Sequence, residues 1–168
     1  MNLLKITEIA ALLCTGLLAG VFFAFETAIN PGLQRLPDLT YLSTMQQINR
    51  VIQNPVFLFV FMAPLFLTPF ATWQQWGKFP LAYTWLLATV LYVVAVFGVT
   101  IFFNVPLNEL LDKVDLSKTA EVDLQSLRKH YEMPWSRWHS LRTGAAVLAF
   151  LLLIFALMTE KANITASQ

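Results

Sequence analysis

Charge is scarce in this sequence. Of its 168 residues only 12% are Asp, Glu, Lys or Arg, about half the share a soluble domain carries, while 57% are apolar. Lipid is therefore the expected solvent for most of the surface. The formal charge of +1 offers no basic field to a nucleic acid, so that class of partner is set aside. A lone cysteine, Cys14, excludes an internal disulfide, a C-x-x-C redox centre and a cysteine zinc site; it reads as a small packing residue. Glycine-rich phosphate loops, nucleophile elbows and dinucleotide fingerprints are missing. The only imidazoles are His130 and His139, with Glu26 or Glu132 as the best helpers, and no metal-ligand spacing links them. The expectation is a protein with no metal site and no bound cofactor.

Four uncharged stretches are present, and each is near the roughly 20 apolar residues that a bilayer-spanning helix needs. They predict spans at about 7–27, 55–76, 80–104 and 141–159 in a single transmembrane domain. The fold class is thus all-α, an integral membrane four-helix bundle with amphipathic interfacial helices in its two long loops. The first run, bounded by Glu8 and Glu26, is long for a signal peptide and lacks an A-x-A site after it, so it reads as a retained helix. Pro64 and Pro69 inside the second run predict a kink, since each removes a backbone donor.

The connections are unequal. Gly77 to Phe79 forms a tight turn, whereas 28–54 and 105–140 are long and, with four spans, share one side of the membrane. In the first long loop Leu42, Met45, Ile48, Asn49 and Ile52 recur at helical spacing. In the second, Pro106 is expected to open a short helix through Leu111, and Thr119 to cap another that ends before Pro134. Arg35, Arg50, Lys113, Lys118, Arg128, Lys129 and Arg137 lie in the long loops, against Lys5, Lys78 and Lys161 on the other side. The positive-inside rule then makes the long loops cytoplasmic, and a bacterial inner membrane is the expected location.

Polar residues near the long-loop side form the candidate site. Asn104 and Asn108 are four apart, and Trp135, Trp138 and Arg142 stand at i, i+3 and i+7 with His139 between them. Helix caps, aromatic belts and snorkelling arginines produce the same faces without any chemistry. Asn30, Glu26 and Asn49 complete the set. Gly16, Gly20 and Ala24, spaced by four, permit close helix contact inside the bundle or in a homo-oligomer.

The segments AINPGLQRLPD (28–38), MQQINRVIQNP (45–55), TIFFNVPLNELL (100–111) and WSRWHSLRT (135–143) resemble the anthrone oxygenase family of small four-helix membrane proteins. At the position of His139 that family often has Asn. The resemblance implies oxygenation of an anthrone, an apolar aromatic small molecule held in the lipid bilayer, to an anthraquinone without a cofactor. It would make His139 the base, with Arg142, Asn104 and Asn108 stabilising an enolate-like oxygen. Trp135 and Trp138 would be flat walls, Asn30 and Asn49 further contacts, and Glu26 a reserve base. A non-catalytic subunit docking a partner membrane protein, or a quinone-binding protein, would use the same polar face.

Overall fold

The computed structural model describes residues 3–166, with side chains through residue 160, so Lys161 lies outside the described side chains. Its described residues form five long helices and no strand. Helix α1 is Leu3–Leu33, α2 Asp38–Val51, α3 Pro55–Gln74, α4 Leu81–Asp112 and α5 Glu121–Ala166. All but α2 are long and apolar enough to cross a membrane, and their outward faces carry large apolar side chains such as Leu13, Phe59, Phe102 and Phe155. This is an integral membrane helical bundle.

Local sequence explains most of the helix ends. Asn54 caps α3 by accepting from the Phe57 N–H at 3.0 Å, and Pro55 follows where a missing N–H costs nothing. Gly77, at φ +89°, supplies the left-handed residue for the turn between α3 and α4. Helix α3 runs unbroken through Pro64 and Pro69, and one of its carbonyls, that of Phe61, takes the Tyr92 hydroxyl at 2.6 Å.

Two loop expectations are corrected. Pro106 does not open a separate helix, because α4 continues through it after a widened π-helical segment, Thr100–Asn104. A matching segment, Phe25–Ile29, precedes Pro31 in α1. The wider turn draws the preceding carbonyls away from each proline ring, which in a regular α-turn would strike the i−4 carbonyl. Thr119 does not cap α5 either. Its hydroxyl instead donates to the Asp115 carbonyl at 2.9 Å, closing the short 3₁₀ turn Leu116–Lys118. Helix α5 starts at Glu121 and passes straight through Pro134, which frees the carbonyl of His130 at an exposed position where water can serve it.

The ends of the bundle differ. At the turn end, Ala11, Ala71, Trp85 and Ala156 pack closely. Glu8, fully buried, accepts from Lys5 at 3.0 Å and from Gln75, and Lys5 also pairs with Glu160. At the long-loop end α2 lies across the bundle and buries Leu42, Met45 and Asn49 against α4 and α5. Its Gln46 amide donates to the Leu111 carbonyl in the last turn of α4 at 2.8 Å and to the Val114 carbonyl just beyond it at 3.0 Å. Arg128 clamps the α1–α2 loop by donating to the carbonyls of Gln34 and Leu36 and to Asp38. The small-residue stripe of α1 divides: Gly16 admits the Phe150 ring of α5, so close that a Cβ would sit 2.6 Å from it, while Gly20 meets nothing.

Candidate functional site

Helices α3 and α4 touch beside the turn, where Thr72 and Thr89 share a 2.8 Å hydroxyl bond, and remain in contact as far as the stacked rings of Phe61 and Phe97. Beyond that pair they separate toward the long-loop end. A cavity of about 270 Å³ fills the gap beneath α2, close to the lower bound of ~300 Å³ usual for small-molecule sites. Phe57, Leu58 and Phe61 form one wall and Thr100, Ile101 and Val105 the other, while Phe22 and Phe25 of α1 back it. Leu58 and Ile101 are themselves exposed, so this side borders lipid. Arg50, Glu109 and Asp112 line the end nearest water, with Arg50 and Asp112 paired at 2.6 Å.

The inner wall comes from α5. Trp135, His139 and Arg142, at i, i+4 and i+7, all line the cavity and are 3%, 1% and 8% exposed. The Trp135 indole lies parallel to the His139 ring, centroids 4.9 Å apart, and Phe22 meets the imidazole edge-on at 5.5 Å. Arg142 sits 4.4 Å above the Phe22 ring. A guanidinium has five N–H donors. Nε and Nη2 point at His139 Nδ1, at 3.2 and 3.0 Å, and Nη1 donates to the Thr100 hydroxyl at 3.2 Å. Two N–H groups are left without an acceptor among the described residues. Among the described residues no carboxylate comes within ion-pair distance of Arg142.

The bonding partners fix the His139 tautomer. Arg142 can only donate, so Nδ1 presents its lone pair; the Phe22 carbonyl, 3.1 Å from Nε2, can only accept, so Nε2 carries the hydrogen. The Thr143 hydroxyl, 3.3 Å from Nε2, spends its own hydrogen on the His139 carbonyl.

A second chain of hydrogen bonds orients the indole. Asn49 donates to the Tyr131 hydroxyl at 3.1 Å, Tyr131 donates to Asn108 Oδ1 at 3.1 Å, and Trp135 Nε1 donates to the same oxygen at 2.8 Å. Asn49 and Asn108 line the cavity. Asn104 does not: fully buried, it donates to the Trp135 carbonyl at 3.1 Å from outside the cavity, and its Oδ1 has no partner among the described residues. Trp138 also lies outside, stacked on Phe103 at 3.8 Å, because position i+3 falls to one side of the inward stripe 135, 139, 142. Asn30 is buried but away from the cavity. Glu26 accepts from Ser140 at 2.7 Å and stands 3.8 Å from His139 Nε2, and it is not part of the lining. Tyr131 was not among the residues expected from sequence, although it lies one turn before Trp135 on the same stripe. Phe22 and Thr100 were not expected either, since they carry no polar pattern. Among the described residues no three His, Cys, Asp or Glu side chains gather as metal ligands.

A family model described as Anthrone oxygenase matches residues 44–152. The chain belongs to the anthrone oxygenase family. The match to the anthrone oxygenases starts within α2 and ends within α5, so it takes in Asn49, Thr100, Asn108, Trp135, His139 and Arg142, but not the α1 residues Phe22 and Glu26. Neither a curated protein nor a solved structure matches the chain.

Proposed function

We propose that this protein is a membrane-embedded oxygenase of an anthrone-type substrate, a flat apolar polycyclic ketone, and that it works without a bound cofactor. The observation that carries this reading is Arg142, a buried guanidinium with no counter-ion among the described residues, two of whose N–H groups are left over beside a mostly apolar cavity. A buried charge left in that state is costly unless something else meets it. The ligand best suited to do so has an apolar body and an oxygen on which negative charge develops.

In an anthrone that oxygen is the ring ketone. Loss of a proton from the methylene carbon opposite makes an enolate, whose negative oxygen Arg142 holds through charge-assisted hydrogen bonds in a water-poor site. The enolate passes electrons to molecular oxygen and bonds to it as a peroxide on the same carbon. The peroxide takes back the first proton; the second hydrogen of that carbon then leaves as a proton while the O–O bond breaks and a new C=O forms, and the departing hydroxide and that second proton make water. One anthrone and one O₂ thus give one anthraquinone and one H₂O. Trp135, Phe22 and Phe57 are the rings placed to flank the substrate. Protons move to and from the substrate by the water end, where Glu109 lines the cavity and, unlike Asp112, has no ion-pair partner among the described residues.

The test is to incubate the purified protein in lipid nanodiscs with 1,8-dihydroxyanthrone, following quinone absorbance and oxygen uptake together. Wild type should exceed the spontaneous rate and Arg142→Ala should not. Equal rates for both would refute the reading for this substrate class.

A further inference from the structure

The resemblance made His139 a proton acceptor, but its surroundings suit a different task. We propose that His139 is a positioning residue: it holds the Arg142 guanidinium with its free N–H groups toward the ligand, and does not itself take the substrate proton. This rests on the reading above that Arg142 meets a ligand oxygen.

Three features support it. The only lone pair on the ring, at Nδ1, lies between two N–H groups of Arg142 at 3.0 and 3.2 Å. A proton arriving there would turn the imidazole into a cation facing a cation, both buried, with two donors aimed at each other. The other nitrogen already holds its hydrogen against the Phe22 carbonyl. Finally, the ring is locked, with Trp135 stacked on one face at an interplanar angle of 8° and Phe22 against its edge at 67°. It therefore cannot swing its lone pair toward a ligand without displacing both. What the ring does supply is one acceptor and one donor on opposite sides of a small planar group. An asparagine side chain can put its Oδ1 close to where Nδ1 stands and has no basicity, so it can stand in for the acceptor that Arg142 needs but not for a base.

The experiment uses the full chain in detergent. ¹⁵N spectra of the imidazoles, with His139 assigned by its loss in His139→Asn, should show hydrogen on Nε2; hydrogen on Nδ1 would overturn the proposal. Initial oxygen-uptake rates with 1,8-dihydroxyanthrone, and equilibrium binding of 1,8-dihydroxyanthraquinone, are then compared for wild type, His139→Asn and His139→Leu, with melting curves to confirm folding. His139→Asn should stay within about threefold of wild type in both, while His139→Leu, which leaves the guanidinium without its acceptor, should bind at least about tenfold more weakly. A rate loss of about 100-fold or more in His139→Asn with binding intact would make the histidine the proton acceptor and overturn the inference. If wild type binds the quinone but consumes no oxygen with the anthrone, the oxygenase reading fails alone. The binding comparison still decides His139, and an Asn variant as weak as the Leu variant counts against positioning. Failure of wild type to bind removes the Arg142 premise and this proposal with it.

Discussion

Replacing Arg142 with glutamine removes the charge while leaving an amide that can still reach toward His139. In the structure the guanidinium makes three bonds to protein and has two N–H groups left over for a ligand. A hydrogen bond from a charged donor is worth about 1.5–3 kcal/mol, against about 0.5–1.5 for a neutral one. Losing the charge-assisted contact to a ligand oxygen should therefore weaken binding by roughly 10- to 150-fold, at about 1.4 kcal/mol per tenfold. The same change should affect a hydrocarbon of similar shape by less than about threefold, since only packing is then at stake. Equilibrium dialysis in detergent with 1,8-dihydroxyanthraquinone and with anthracene separates the two. Equal losses for both ligands would mean that Arg142 shapes the cavity and does not meet oxygen, and the proposed contact would fall.

Other perturbations test the frame around the site. Arg128→Ala removes bonds to Gln34, Leu36, Asp38 and Glu132 and a cation lying 4.4 Å over Tyr41, so stability should drop by about 2–4 kcal/mol, read as a lower melting temperature in detergent. Arg128→Lys should recover only part, as an ammonium cannot reproduce the planar fork. At the opposite end, Glu8→Ala removes the buried carboxylate that accepts from Lys5 and Gln75 and leaves the half-buried Glu160 to take both, so stability should drop by about 1–3 kcal/mol, with ligand affinity in the folded fraction unchanged. Leu58→Trp should slow entry of a bilayer-dissolved ligand in stopped-flow mixing, and an unchanged on-rate would exclude entry past α3. Burial holds the Tyr41 hydroxyl above its usual pKa, with nearby Glu132 and Tyr131 adding to the shift. Its contribution to stability is thus complete below the unfolded value of about 10 and declines as pH rises beyond it. Tyr41→Phe should flatten the alkaline limb of a pH-stability curve.

The four long apolar helices were legible because a stretch of some 20 residues without charge, in a chain this apolar, is what a bilayer core demands and a water-facing surface does not. The grouping of the long loops at one end then followed from counting spans. Proline was the main source of error. Read residue by residue, Pro106 and Pro134 looked like helix boundaries, yet one follows a π-turn that clears its ring and the other frees a carbonyl at an exposed position. Neither remedy has a sequence signature of its own. Within the site, helical spacing located the stripe of Trp135, His139 and Arg142, but spacing alone could not place Trp138, whose partner Phe103 belongs to another helix. The Lys5, Glu8, Gln75 and Glu160 cluster was invisible for a similar reason. Its members are spread along the chain, and the charged ones looked like ordinary boundaries of apolar runs.

Whether the cavity under α2 holds an oxygen-bearing polycyclic ring against Arg142 is decided best by an experimental structure with 1,8-dihydroxyanthraquinone bound. The ring should lie between Trp135 and Phe57, with one ligand oxygen within hydrogen-bond distance of the guanidinium. A lipid chain filling that space, or the quinone seated elsewhere on the protein, would contradict it.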